Sequence, residues 1–266
     1  MENILIHGFH CRLYKSYMKA SFNNSTIIMP IARCEDFALK AINHNLENSP
    51  CNILVLYDEK TPDDYVVNSR VSYLKNQNGR HFPKILNQLI KNCPTDNILY
   101  CNWKWRPTFE NYQLIIDKMN EGFGLVEIAP PLLVMGFNKH LMSRIGLFDE
   151  RFVGGHCVDW DLMFNMFYND IAHYCIDQCE KDYSLATPNN PTYTTWYGNC
   201  GNRENYIKFD IKWKEEKNHL QRILKETNSK ERELFKSYPK IEYMNYEKSQ
   251  INVPWVLDRM VFKTKS

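Results

Sequence analysis

The chain has 266 residues, 44% hydrophobic and 24% charged, enough for one large domain, or one domain with an appendage, around a substantial core. Its 33 Lys and Arg against 31 Asp and Glu leave a net charge of +2, so nothing global favours nucleic acid or a membrane surface as partner. No apolar run approaches the ~18 residues of a membrane span, the N-terminus lacks signal-peptide organisation, and the nine scattered cysteines include no C-x-x-C pair.

The cysteines therefore read as free thiols of a reducing, cytoplasmic compartment, with no zinc cluster or redox motif and no residue assigned as a metal ligand. In chain order, residues 1–24 are expected to add an edge element. Thr26-Ile27-Ile28-Met29-Pro30 reads as a buried strand that runs into a loop. Residues 35–46 carry Phe37, Leu39, Ala41, Ile42 and Leu46 at amphipathic-helix spacing. CNILVLY, residues 51–57, is a second buried strand ending at Asp58, and residues 71–74 are a third. Phe82, Ile85, Leu86, Leu89 and Ile90 recur at helical spacing, and NILYC, residues 97–101, is a fourth strand. This alternation implies an α/β fold with a mostly parallel sheet and ligands at the carboxyl ends of its strands. Beyond residue 214, Leu220, Ile223 and Leu224, then Leu234 and Phe235, predict two charged amphipathic helices broken near residues 227–229, before an aromatic-rich tail. The expected organisation is a domain over 1–214 and a helical extension over 215–266 packed on it.

Residues 145–161, IGLFDERFVGGHCVDWD, carry the strongest chemical signal. Asp159 and Asp161 are two apart. In a strand they would share a face; at a helix start they would sit at the electropositive end, where carboxylates stay ionised. Carboxylates beside a Gly-Gly bend suit a general base next to a bound substrate, whereas an N-cap with a solvated acid is the competing structural reading.

The run resembles the acceptor-side motif of inverting nucleotide-sugar glycosyltransferases of the GT-A fold, the large "family 2" group, roughly I-G-x-F-D-E-x-F followed by E-D-x-D. TIIMPIARCEDFALKAINHNL is similar to the group's opening strand, loop and helix, and NILVLYDEKTPDD to its second strand. HFPKILNQLIKNCPTDNILYCNWKWRPT is similar to the helix, strand and metal-site loop that follow, and ENYIKFDIKWKEE to its closing F-x-x-K-W-G segment. The resemblance spans residues 25–214 and implies a Rossmann-like GT-A sheet flanked by helices.

It also implies roles. Pro30, Ala32, Arg33 and Asp58 would lie at the strand ends that hold the nucleotide donor, Asp58 reading base or ribose; a turn cap and a surface ion pair are the plain alternatives for Asp58 and Arg33. Where relatives carry D-x-D and bind a divalent metal, Mn²⁺ or Mg²⁺, this chain has Asn102, Trp103, Lys104, Trp105 and Arg106. With the motif degenerate no cofactor is assigned with certainty, a Mn²⁺ or Mg²⁺ ion held by other residues being the open alternative, and Lys104 with Arg106 would supply cationic charge to the diphosphate unless both are merely solvated. Asp159 aligns with the catalytic base, and Asp161, the second acid of the catalytic pair, would orient the helix start or bind the acceptor. Val158 replaces the motif's Glu. His156, Trp160 and Trp196 are acceptor-side candidates, the indoles as stacking platforms, with structural packing as the alternative. The Asn-, Gly- and Pro-rich stretch 188–206 has the composition of an active-site loop.

The expected activity is transfer of a sugar, from a UDP-sugar foremost, to an acceptor hydroxyl with inversion. The alternative is a GT-A-like protein that binds sugar nucleotide or glycan without turnover. A nucleotidyltransferase is disfavoured because no glycine-rich phosphate loop follows the first strand. Asn- and Lys-rich usage hints at an AT-rich viral or phage genome, in which case the compartment is the host cytoplasm. The acceptor is then a glycan, a protein or a hydroxymethylated DNA base. A DNA face would need Lys208, Lys212, Lys214, Lys217, Arg222 and Lys225, which Glu215 and Glu216 interrupt.

Overall fold

The computed structural model describes residues 3–6, 9–12, 19–31, 35–57, 66–79, 81–129, 133–152, 157–169, 171–175, 179–181, 205, 208–209, 211–212 and 260–262. Twelve strands are described: β1 Asn3–Ile6, β2 Phe9–Arg12, β3 Ser25–Pro30, β4 Asn52–Tyr57, β5 Val71–Lys75, β6 Asn97–Cys101, β7 Trp105–Arg106, β8 Leu125–Ala129, β9 Val134–Asn138, β10 His173–Cys175, β11 Glu180–Lys181 and β12 Met260–Phe262. The helices are α1 Glu35–Asn48, α2 Phe82–Asn92, α3 Phe109–Glu121, α4 Lys139–Arg144 and α5 Val158–Tyr168.

Eight strands form one sheet in the order β12-β10-β8-β9-β6-β3-β4-β5. Only β9 runs antiparallel to its neighbours β6 and β8; every other pairing in this sheet is parallel. The expected α/β class and mostly parallel sheet are therefore correct. β1 and β2 instead pair with each other as a separate antiparallel hairpin, so among the described residues the N-terminal segment is not an edge of the main sheet. The helices expected beyond residue 214 lie outside the described residues; from that segment, β12 joins the main sheet as its outermost strand.

Alternation along the central strands sends apolar side chains to both faces, as a sheet covered on both sides requires. Ile27, Met29, Val55 and Leu99 pack with Ala38, Ala41 and Ile42 of α1 and Tyr112, Ile115 and Ile116 of α3. Ile28, Leu54, Ile98 and Tyr100 face α2, α4 and α5. On α2, Ile85, Leu86, Leu89 and Ile90 are buried at i, i+1, i+4 and i+5, each contributing about 1.5–3 kcal/mol by transfer from water. Pro83 stands in its first turn, where the missing N–H has no helical partner to lose.

α3 starts at Thr108, whose hydroxyl accepts from the Asn111 N–H while the Asn111 side chain accepts from Thr108 N–H, and ends at Gly122 in the left-handed conformation. Gly136 sits where α3 crosses β9: a Cβ there would collide with the Ile115 side chain and lie 2.9 Å from Met119 Sδ, so only glycine permits this approach. The buried Asn45 amide donates to the Ala41 carbonyl at 2.8 Å and accepts from the Tyr112 hydroxyl, which ties α1 to α3.

Candidate active site

The strand order turns around between β3 and β6. β3 is followed through α1 by β4 on one side, and β6 lies on its other side. Such a switch opens a crevice at the carboxyl ends of the strands, the usual ligand position in open α/β sheets. Ile28 pairs with Tyr100, so the same register brings Pro30 opposite Asn102 at that edge. Pro30 also pairs with Leu56, one residue short of the end of β4. The donor-side candidates Pro30, Asn102, Lys104 and Arg106 thus gather on one edge. Ala32, Arg33 and Asp58 lie outside the described residues.

The turn after β6 is built by its own residues. Asn102 N–H donates to Leu133 O at 2.7 Å, and Asn102 Oδ1 accepts from the Lys104 N–H at 3.1 Å. Arg106 Nη1 donates to the carbonyls of Trp103 (2.8 Å) and Trp105 (3.0 Å), closing the turn from below. Lys104 Nζ lies 5.2 Å from the centroid of the Trp103 ring, a cation–π distance. His44 of α1 meets Pro107 O at 2.9 Å, and burial lowers its pKa. β11 pairs antiparallel with β7 and crosses next to this turn.

The turn does not fit the divalent metal that the resemblance brings with it. A hard cation takes oxygen ligands, carboxylates above all. Residues 102–106 offer one amide oxygen, already accepting from a backbone N–H, and two cationic side chains.

The octet at 145–152 is a positioning device. Gly146, at φ 98°, and Leu147, at φ 62°, take left-handed conformations that end α4, with Leu147 N–H donating to Met142 O at 2.8 Å. Phe148 and Phe152 are buried in the core. Asn87 of α2 grips the Phe148 backbone at both ends, donating to its carbonyl at 2.8 Å and accepting from its N–H at 3.0 Å. The turn then feeds α5. The 11-residue α5 is about 16 Å long and leads into β10, which starts at the amino edge of the sheet beside Leu125. Its first turn, with Asp159 and Asp161, is therefore directed toward the carboxyl edge. The helix-start alternative for the pair is correct and the strand alternative is not.

The two acids have different surroundings. Asp161 is 2% exposed; its N–H donates to Cys157 O at 2.9 Å and its carboxylate pairs with Lys212 Nζ at 2.7 Å. Asp159 is half-buried. Lys212 also reaches Asp149 at 2.9 Å, and Asp149 takes Arg151 at 2.5 Å. Burial works to raise the Asp149 pKa, but the hydrogen bonds from Arg151 and Lys212 outweigh it and hold this carboxyl well below the usual carboxylate range. Cys157, immediately before α5, has φ 65°, a strained conformation for a residue with a side chain. Lys208 Nζ donates to Arg151 O at 2.9 Å, so Lys208 and Lys212 are both turned onto the octet, while Lys214, Lys217, Arg222 and Lys225 lie outside the described residues. Trp160 is on α5; His156 and Trp196 lie outside the described residues.

The sequence reading missed Lys212 and Asp149 as partners of the acidic helix start, though F-D-E-x-F and the K-W segment were both in view. Cys51, Cys93, Cys101, Cys157, Cys175 and Cys179 are buried free thiols, as expected. No helix among the described residues is long and apolar enough to cross a membrane.

The sheet order, with one strand antiparallel to its neighbours, is that of the GT-A glycosyltransferase fold. A mannosyltransferase from Pyrobaculum calidifontis, solved with GDP-Man and Mn²⁺, matches with a TM-score of 0.50 at 11% identity, over 69% of this chain and 62% of that one. The chain thus spans less than two thirds of that enzyme's length. GalNAc-T7, solved with UDP, GalNAc and Mn²⁺, matches with a TM-score of 0.48 at 8% identity, over 55% of this chain and 40% of that one. No family model and no curated protein sequence matches.

Proposed function

We propose that the protein transfers a hexosyl or pentosyl group from a nucleotide-sugar donor, a UDP-sugar foremost, to an acceptor hydroxyl with inversion. The observation that carries this reading is the division of labour at the start of α5. Asp161 is buried against Lys212, while Asp159, two residues earlier in the same first turn, is only half-buried. Asp159 is the base: its carboxylate takes the acceptor O–H proton as that oxygen attacks the anomeric carbon from the face opposite the diphosphate. The bond from the anomeric carbon to the diphosphate oxygen breaks, and the nucleoside diphosphate leaves with the electron pair. Asp161 positions the helix. Pro30, Ala32, Arg33 and Asp58 hold the nucleoside and ribose; His156, Trp160 and Trp196 bind the acceptor, which is a glycan, a protein or a hydroxymethylated DNA base. Residues 1–214 carry the residues of the transferase domain, and 215–266 are its extension, which adds β12 to the same sheet.

The leaving diphosphate needs positive charge, and Lys104 supplies it on a turn braced by Arg106. A preorganised cation stabilises developing oxyanion charge without a metal. Lys104→Ala is expected to lower turnover about 10²-fold with nucleoside affinity little changed, and activity should survive EDTA in part. Complete loss in EDTA, restored by Mn²⁺, would overturn this role.

The alternative reading, sugar-nucleotide binding without turnover, rests on the replacement of D-x-D by Asn102-Trp103-Lys104 alone. Release of nucleoside diphosphate from UDP-, GDP- and TDP-sugars and of CMP from CMP-sugars, with and without acceptors, separates the two. Donor-dependent release supports the transferase; saturable donor binding with no release in any combination leaves the binder.

A further inference from the structure

Glu127, His173 and Cys175 form a buried cluster that glycosyl transfer does not use. β8 and β10 are parallel neighbours, with Cys175 opposite Glu127 and His173 opposite Leu125. Alternation puts Leu125 and Glu127 on one face of β8, and His173 and Cys175 on one face of β10. That is the face covered by α5, since Leu125 belongs to its core, whereas Val126 and Tyr174 belong to the other. All three side chains are buried. His173 Nε2 lies 3.0 Å from Glu127 Oε2, and one ligand atom from each residue lies within 4.8 Å of the others.

We propose that these three side chains bind one divalent transition metal of the Zn²⁺ type, with water or a further protein atom as fourth ligand. Carboxylate, imidazole and thiolate are all zinc donors, and bonds of about 2.0–2.3 Å in a tetrahedron separate ligand atoms by roughly 3.3–3.6 Å. The observed separations bracket that spacing, so small side-chain movements suffice. A thiol and an imidazole do not suit Mg²⁺ or Ca²⁺. Charge argues the same way. Zn²⁺ with one carboxylate, one thiolate and a neutral imidazole is electrically neutral, which removes the cost of an uncompensated charge in the core. On binding, the Cys175 thiol loses its proton to solvent and an S–Zn bond forms. The backbone register of two paired strands presets the donors. The signal in the sequence is short, an H-x-C on one strand face; its partner Glu127 lies 46 residues upstream, outside any spacing rule.

The test uses the full chain, stripped with chelator and titrated with Co²⁺ and then Zn²⁺. One equivalent of Co²⁺ should produce a thiolate-to-cobalt charge-transfer band that Zn²⁺ abolishes. Cys175→Ser should lose the band, while Cys179→Ser, at the neighbouring thiol, should keep it. Absence of a band saturating at one equivalent, or its persistence in Cys175→Ser, overturns the site. If Cys175→Ser does not fold, Glu127→Gln decides. Competition with a chromogenic chelator should show Zn²⁺ affinity at least about tenfold weaker than in the unaltered chain, and unchanged affinity refutes the proposal.

Discussion

Asp159→Asn is expected to lower sugar transfer by about 10²–10⁴-fold, the usual cost of losing a positioned general base, with nucleotide affinity and thermal stability close to those of the unaltered protein. The substitution keeps the shape of the side chain and leaves the core of α5 intact, because Val158, Leu162 and Met166 provide the buried face. What it removes is the capacity to accept a proton. The deficit should lie in the chemical step, so single-turnover rates at saturating donor and acceptor carry it and donor calorimetry does not. The neighbouring acid supplies the contrast. Asp161→Asn removes a carboxylate that is buried against Lys212 at 2.7 Å, so its first effect should be on stability. More than about a tenth of normal turnover in Asp159→Asn, where a true base costs at least ~10², would move the base elsewhere, first to Asp161.

Much of this arrangement was legible in the sequence, and the reasons differ from element to element. β3, β4, β5, β6, α1 and α2 are found within a residue or two of their expected limits: β3, β4 and β6 are buried apolar runs, β5 is a short, partly exposed edge strand, and α2 repeats at helical spacing. α3 was missed because its buried positions, Asn111, Tyr112, Ile115, Ile116 and Met119, include a polar capping residue and a tyrosine that bonds Asn45. β9 was missed because its glycine is needed for the approach of α3 and depresses strand propensity locally. The acidic pair was visible, but nothing in a linear reading separates Asp159 from Asp161. The distinction comes from Lys212, some fifty residues on, which pairs with the buried Asp161 only after the chain has folded.

Lys212→Met is expected to destabilise the protein by about 3 kcal/mol at neutral pH, the lower end of the range for orphaning a buried charge, because Lys212 is 23% exposed while Asp161 is 2% exposed. Methionine retains the apolar stem, so packing against Phe152, whose ring centroid lies 5.9 Å from the Lys212 ammonium, is largely preserved and the lost charge carries the effect. Asp161 would keep Asn165 Nδ2 at 3.4 Å, and Asp149 would keep Arg151. Two pH trends of opposite sign follow. In the unaltered protein, Asp149 has a carboxyl pKa depressed below its unfolded value of about 3.9. Its contribution to stability is fully present above that value and is lost as pH falls through it toward the folded pKa. In Lys212→Met, Asp161 is a buried carboxylate without its cation, a situation that raises its pKa, so lowering the pH neutralises it and restores stability. The gap between the two proteins in urea denaturation should therefore be widest near pH 7 and narrow steadily toward pH 4. Lys212→Arg, which keeps the charge, should recover most of the loss at neutral pH, and Asp161→Asn combined with Lys212→Met should cost less than the two single changes added together. A deficit that is the same at every pH, or strict additivity in the double variant, would mean that Lys212 acts through packing alone. The orientation of α5, and with it Asp159, would then have to be set by the octet without the clamp.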